Sequence, residues 1–340
     1  MIVLTLETTC DETAAALVTD ELEVLAAVVA SQDKLHERFR GVVPEIAARA
    51  HVERILPVIH ETLQRANMTL DDVSAVAVAT TPGLAGSLLV GVSAAKALSV
   101  ALEIPLVAVN HLHAHIYACR MAAGPGVFPC VGLIVSGGHT SLYRCDSPFD
   151  FHYLGGTIDD AAGEAFDKVA AMLRLPYPGG PAVSRAADSG DPQAYRFPRS
   201  FLRDPERLDF SFSGLKTAVR YAITGSGPGD PAAVQLSDRQ VADLAASFQE
   251  AVVDCLVAKS MAAVARSGMT TLCVGGGVAA NRRLRERLEV EAAAAHLALV
   301  IAPPELCTDN AVMGAIAIER LRLGQADDLC LDAVPGLVRA

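Results

Sequence analysis

The sequence predicts an α/β chain built as two duplicated lobes around a central cleft, and three observations carry that expectation. Apolar runs of strand length alternate with apolar patterns of helical period. The same order of elements occurs twice along the chain. Hydrophobic residues make up 51% of the 340 residues and charged ones only 20%, enough apolar surface for two cores.

The first copy opens on the apolar run Ile2 to Leu6, a polar tip Glu7-Thr8-Thr9-Cys10-Asp11-Glu12-Thr13, and a second run Ala14 to Val18, which together predict a strand hairpin. From Pro44 to Ala66, the residues Ile46, Val52, Ile55, Leu56 and Ile59 recur at helical spacing behind a proline suited to a first turn. A strand over Ala75 to Ala79, a loop Thr80 to Gly86, a helix over Ser87 to Ala101, a strand over Leu106 to Val109 and a helix carrying His111 and His115 complete this copy.

The second copy repeats the order: strand Val131 to Val135, tip Ser136-Gly137-Gly138-His139, strand Thr140 to Arg144, and a long helix near 240–266. Strand Thr271 to Val274, loop Gly275-Gly276-Gly277, helix Ala279 to Val290, strand Leu297 to Ala302 and a helix opening near Asp309 follow. An insertion at about 145–238 interrupts it, rich in turns such as Pro178-Gly179-Gly180-Pro181 and Gly225 to Pro231; insertions of that length usually carry function. The lobes are expected at 1–129, with a C-terminal helix of about 309–340 packing back on it, and at 130–308.

A formal charge of -11 argues against a chain whose main work is coating nucleic acid. Eight cysteines without a CxxC pair fit reduced thiols and the cytoplasm. The start Met1-Ile2-Val3-Leu4-Thr5-Leu6-Glu7 lacks the basic flank of a signal peptide, and no stretch of about 20 residues is purely apolar, so neither secretion nor a membrane span is expected.

Four residues apart, His111 and His115 share one helical face, which is metal-ligand spacing and equally that of hydrogen-bonded core histidines. The duplication adds Asp309: it opens the helix equivalent to that of His111, so the two are expected to face each other across the cleft as a two-His-one-carboxylate set. Leu112 follows His111 where the HExxH metalloprotease pattern has glutamate, and His113 points off the ligand face. Ser136-Gly137-Gly138 and Gly275-Gly276-Gly277 bare backbone amides that suit a phosphate, although tight turns and helix caps use the same residues. Neither GxGxxG nor GxxxxGK[ST] occurs, which disfavours Rossmann dehydrogenases and P-loop NTPases. Asp167 is a candidate for ribose hydroxyls and Glu12 for orienting a reacting group, against the plainer role of such acids as helix N-terminal charges. The arginines at 282, 283, 285 and 287, and those from Arg196 to Arg207, are either solvated faces or contacts for an anionic partner.

Several runs together resemble the TsaD/Gcp family of tRNA threonylcarbamoyladenosine synthases, once described as O-sialoglycoprotein endopeptidases. They are Leu6 to Thr13, His111-Leu112-His113-Ala114-His115, Val135 to Thr140, Thr157 to Ala161 with Phe166 to Ala170, Pro178 to Pro181, Asp209 to Thr217, Gly276 to Asn281, and Cys307 to Asn310. The resemblance implies the actin-like, sugar kinase and Hsp70-type ATPase (ASKHA) fold. It implies transfer of a threonylcarbamoyl group from threonylcarbamoyl-AMP to the exocyclic amine of adenosine 37 in tRNAs reading codons that begin with A. His111, His115 and Asp309 match the family's metal ligands, with Fe2+, one per subunit, the usual ion and Zn2+ or another divalent metal the alternative. Ile134, Val135, Ser136, Gly137 and Gly138, with Asp167, Gly180 and Asn281, match substrate-binding positions. Implied partners are tRNA, a smaller TsaB-type paralogue and a TsaE-type ATPase, without a membrane. Asn110 and Ser184 depart from the residues common in relatives. A metallopeptidase is the rival reading, opposed by the missing glutamate after His111; a non-catalytic subunit of the same complex is the other, opposed by the intact ligand set.

Overall fold

Consecutive rather than alternate apolar residues fill the first strand, where Val3 and Leu4 are fully buried, so it is covered on both faces as a central strand must be. The computed structural model describes residues 1–39, 41–204, 206–225 and 229–336 and divides into two units: Met1–Gly124 with Thr308–Ala340, and Pro125–Cys307.

In the first unit β1 (Ile2–Glu7), β2 (Glu12–Thr19) and β3 (Val24–Ser31) form an antiparallel meander, and β4 (Ala75–Thr81) and β5 (Leu106–Asn110) extend the sheet in parallel, giving the order β3-β2-β1-β4-β5. Gln32 precedes a one-turn helix, α1 (Asp33–His36). Then α2 (Pro44–Ala66) starts with proline at a position that needs no N–H and stops at Asn67 in the left-handed conformation, φ 54°. With α3 (Ala85–Leu102) it closes one face of the sheet over Leu4, Leu17, Val76 and Val78. By length and composition α3 could cross a membrane, but it packs on α2 and β4 and gives Leu88, Val92 and Ala95 to the core. α4 (His111–Ala123) starts directly at the end of β5, its first turn capped by the Asn110 side chain, which accepts from Leu112 N at 2.9 Å and His113 N at 3.2 Å.

The second unit repeats this order. Strands β6 (Cys130–Val135), β7 (Thr140–Ser147) and β8 (Asp150–Gly156) form the meander, and α5 (Ala162–Met172), α6 (Gly179–Ala187) and α7 (Ser213–Thr224) make up the inserted region. The helix α8 (Asp238–Ser267) leads to β9 (Thr271–Gly275), and α9 (Arg282–Ala294) to β10 (Ala298–Ile301), in the order β10-β9-β6-β7-β8. Replacing each strand of one sheet by its counterpart five later gives the other sheet, the topological signature of a duplication. Ser237 and Gln240 form a capping box at the start of α8, and Gly268 ends it. From α8, the buried Lys259 donates to the carbonyls of Phe201 and Asp204 at 2.6 and 2.7 Å, and to that of Arg207, pinning the loop 201–207. After α10 (Pro304–Cys307), a 3-10 turn Val312–Ile316 and the short α11 (Ala317–Arg322) return to the first unit.

Several boundaries differ from the sequence reading. Each expected hairpin is a three-stranded meander. β3 was missed because its turn, Asp20 to Glu23, contains no Gly, Pro or Asn and puts Leu22 at φ 69°. β8 was taken for the start of the insertion. Pro125 to Pro129 lie in the second unit and Thr308 in the first. The expected helix at about 309–340 is confined to 312–322, with turns and irregular backbone after it to Gly336. Residues 226–228 of the expected Gly225 to Pro231 turn, and 337–340, lie outside the described residues.

Candidate functional site

The tip of β1, the start of α4 and the loop after α10 bring the candidate metal ligands together. The helical rise places His111 in the first turn of α4 and His115 in the next, on one face. The loop bearing Asp309 is pinned from below: Thr5 Oγ1 donates to Ala311 O at 2.7 Å, Asn310 caps Met313 N at 3.2 Å, and Gly314 sits so close that a Cβ there would lie 3.0 Å from Thr5 Cβ. Asp309 Oδ1 then stands 3.2 Å from His115 Nε2 and 3.5 Å from His111 Nε2, and the three ligand atoms lie within 4.8 Å of one another.

The two imidazoles are tuned apart. His111 Nδ1 meets Glu7 Oε2 at 3.0 Å, while the other Glu7 oxygen accepts Thr9 N at 2.6 Å. That bond puts the proton on Nδ1 and turns Nε2 toward Asp309, the arrangement in which an outer carboxylate orients a metal-binding histidine. Burial alone would depress the pKa of His111, but Glu7 and Asp309 outweigh it and raise it to about 9. Burial lowers the pKa of His115, the Asp309 carboxylate opposing. His115 is fully buried, with the Asp309 carboxylate facing Nε2 and no hydrogen-bond partner for Nδ1, a state that costs free energy unless something else binds there. An imidazole pair with a carboxylate and no competing donor suits a divalent transition metal. The symmetry expectation needs correcting: Asp309 does not face His111 from the second copy but belongs to the same unit, because the chain re-enters that unit at Thr308.

Beside this group, Asp11, Glu12 and Asp33 bring carboxylate oxygens within 4.8 Å of one another. Burial, then the charges of Asp309 and Asp11, push the pKa of Glu12 well above the ordinary carboxylate value; burial also raises that of Asp11. Such a carboxyl holds a proton more tightly than an exposed one, the direction that suits a general base. Glu7, Asp11 and Asp33 were not singled out from the sequence. The available signal was Glu7 itself, an acid ending an otherwise apolar strand.

The remaining candidates lie in the second unit and divide in two. Gly137, Gly138, Gly180 and Gly277 face open space, with no atom within 4 Å of a Cβ built on any of them. Ser136 N closes the tip by donating to His139 O at 2.8 Å. The side chains of Ile134 and Val135 are fully buried in the sheet, so only backbone at the tip can meet a ligand. Asp167 accepts Gly179 N at 2.7 Å, and Asn281 caps α9 through Leu284 N at 3.0 Å while donating to Gln249 at 2.8 Å. Gly276, unlike its neighbours, is structural: φ is +95° and a Cβ would lie 2.5 Å from Val135 O. Because the fold leaves the space at 137 empty, Gly137→Leu is expected to weaken adenine-nucleotide binding at least tenfold, about 1.4 kcal/mol, with an almost unchanged melting temperature. Calorimetry and a thermal melt on the same preparation check this.

The arginines of α9 are largely consumed by acids and carbonyls. Arg283 and Arg287 clamp Glu250 at 2.7 Å each, Arg287 also reaches Asp254 at 3.0 Å, Arg285 donates to Ala279 O and Ala302 O at 2.7 Å, and Arg282 meets Asp188 at 2.6 Å. Their crowding is an internal network and not a free cationic face.

The sequence model of the TsaD family, described as tRNA N6-adenosine threonylcarbamoyltransferase, matches residues 23–316. A protein of that name from Rhodopirellula baltica is 56% identical over 99% of this chain and 97% of its own length, and one from Syntrophobacter fumaroxidans is 52% identical over 98% and 97%. Among solved structures, component A of the (R)-2-hydroxyglutaryl-CoA dehydratase of Acidaminococcus fermentans superposes with a TM-score of 0.56 at 14% identity, covering 95% of this chain and 99% of that one. A nucleotide-bound full-length HypF gives 0.62 at 13% identity over 96% of this chain and 47% of that one. At such identities these two likenesses concern the fold alone.

Proposed function

This chain belongs to the TsaD family of tRNA N6-adenosine threonylcarbamoyltransferases, and from that premise we propose a division of labour among its residues. The chain is a transferase of tRNA modification, moving a threonylcarbamoyl group to the N6 amine of adenosine. In our reading the acceptor is adenosine 37 of tRNAs for codons beginning with A, the donor is threonylcarbamoyl-AMP, the fold is the actin-like (ASKHA) one, and the work is cytoplasmic.

His111, His115 and Asp309 would hold one divalent ion per chain, Fe2+ first and Zn2+ next, and Glu7 would fix the tautomer of His111. The observation that carries this is His115, a fully buried imidazole whose Nδ1 has no hydrogen-bond partner and whose Nε2 faces only the Asp309 carboxylate, at 3.2 Å. Such an ion supplies a Lewis acid that polarises a carbonyl-type oxygen. An aromatic exocyclic amine is a poor nucleophile; as it attacks the carbamoyl carbon it must lose a proton, while the carbon–oxygen bond to AMP breaks and AMP leaves with the bonding electrons. Glu12, whose proton affinity burial raises, is the group we assign to accept it. The tip Ser136-Gly137-Gly138 and the positions Gly180 and Gly277 leave room for the adenylate, with Asp167 and Asn281 holding the backbone around it. The test is mass spectrometry of tRNA nucleosides from cells depleted of the protein and resupplied with wild-type or His115→Ala chain. Modified adenosine should return only with the wild type, and its return with both would refute the assignment.

A protein partner of the TsaB type fits a feature of the first unit. Val52 and Leu56 on α2 and Leu89 and Val100 on α3 are each 49% or more exposed, and only a third of the apolar α3 is buried. An apolar helical face of that kind marks an interaction surface. Leu56→Glu combined with Leu89→Glu is expected to abolish co-elution with the paralogue in gel filtration and leave the melting temperature of the single chain unchanged. The TsaE-type ATPase completes the assembly we propose.

For tRNA we assign Arg203, in the loop pinned by Lys259, and Arg196, ahead of it in the chain. Both are exposed, and no ion pair of theirs occurs among the described residues. Arg196→Glu with Arg203→Glu should lower the slope of log affinity against log salt by about 2 in the assembled complex. Filter binding across salt concentrations measures it.

A further inference from the structure

A chain of polar side chains runs through the core of the first unit, away from the ligand triad. Gln32, His36, His51 and Thr13 are all fully buried. Buried polar groups are costly unless each finds its partner, and a chain of them survives only where it does something an apolar core would not. Here the partners can be followed atom by atom. Val43 N donates to His36 Nδ1 at 3.2 Å, which leaves His36 Nε2 to donate to Gln32 Oε1 at 3.2 Å. Thr13 Oγ1 lies 2.8 Å from His51 Nδ1, and His51 Nε2 lies 3.0 Å from Cys10 O. A carbonyl only accepts, so His51 carries its proton on Nε2 and receives the Thr13 hydroxyl on Nδ1. Gln32 Nε2 stands 3.4 Å from His51 Nε2 and 3.5 Å from Ala47 O, filling the space beside the imidazole.

The chain ends on the turn between β1 and β2. Cys10 O receives His51 and, at 3.4 Å, Ser87 Oγ, while Asp11 O receives the backbone N–H of Gln32 at 3.0 Å. Both peptide planes flanking Asp11 are therefore held from behind, and those planes set where the side chains of Asp11 and Glu12 stand. None of these groups bonds to His111, His115 or Asp309.

We propose that His51, backed by Gln32 and His36, is a positioning residue for the transfer reaction, holding the Cys10 and Asp11 carbonyls so that Glu12 keeps its place. The proposal rests on the reading of Glu12 as the proton acceptor. His51→Leu removes the donor; His51→Gln keeps an N–H able to reach Cys10 O; Val58→Ala, in the same helix and buried at 4% exposure, is a packing control outside the machinery. In the assembled complex with tRNA and the adenylate donor, His51→Leu should lower kcat about 10- to 100-fold with KM for tRNA nearly unchanged, and His51→Gln should recover most of the loss. Hydrogen exchange of residues 8–13 should accelerate in His51→Leu and stay slow in Val58→Ala. Unchanged exchange in His51→Leu, or an equal kcat loss in Val58→Ala, would overturn the proposal. Accelerated exchange with full kcat would overturn the link between anchoring and reaction. A Glu12→Gln chain with full kcat would instead refute the reading of Glu12, while the exchange data still decide the anchoring.

Discussion

Glutamine in place of Glu12 is expected to lower the transfer rate by about 10²- to 10⁴-fold, the usual worth of a positioned general base. The amide keeps the size and hydrogen-bonding shape of the carboxyl but cannot take a proton. Its burial and the neighbouring charges of Asp309, Asp11 and Asp33 raise the proton affinity of the wild-type carboxylate, so removing the charge should not destabilise the turn. Binding of tRNA and of the adenylate donor should change little. Single-turnover rates with a preformed donor measure the step directly, and a loss below about tenfold would assign the proton to another group.

The second large effect is expected at the triad. His111→Ala with His115→Ala should remove bound metal completely and reduce transfer to background, while the chain still folds. Folding survives because the core beneath is carried by Leu4, Leu17, Val76 and Val78, and Glu7, though it loses His111, still accepts Thr9 N. Elemental analysis of purified protein and a thermal melt check both halves, and stoichiometric metal in the double variant would end the assignment. Glu7→Gln is the graded counterpart. It keeps a partner for His111 Nδ1 but loses the charge, and losses of about 10- to 100-fold in metal affinity are typical for such outer carboxylates. His111 would then also lose the main influence that holds its pKa up at about 9 against burial.

Much of this protein was legible in the sequence alone because much of it is decided locally. The proline, the apolar period and the terminal Asn67 set the bounds of α2 within the segment itself. The four-residue spacing put His111 and His115 on one face for the same reason. The order of strands and helices, written twice, carried the duplicated topology. What only the tertiary structure decided are pairings between residues far apart in the chain, whose partners no local pattern announces. Glu7 finds His111 across 104 positions, and Thr5 holds the Asp309 loop across 306. Whether the arginines of α9 make a solvated face or a contact for an anionic partner is decided by Glu250, Asp254 and Asp188, which pair with Arg283, Arg287 and Arg282. The runs Val24 to Ser31 and Asp150 to Gly156 became strands because a neighbouring edge was there to pair with, since the backbone bonds that define a strand lie outside it.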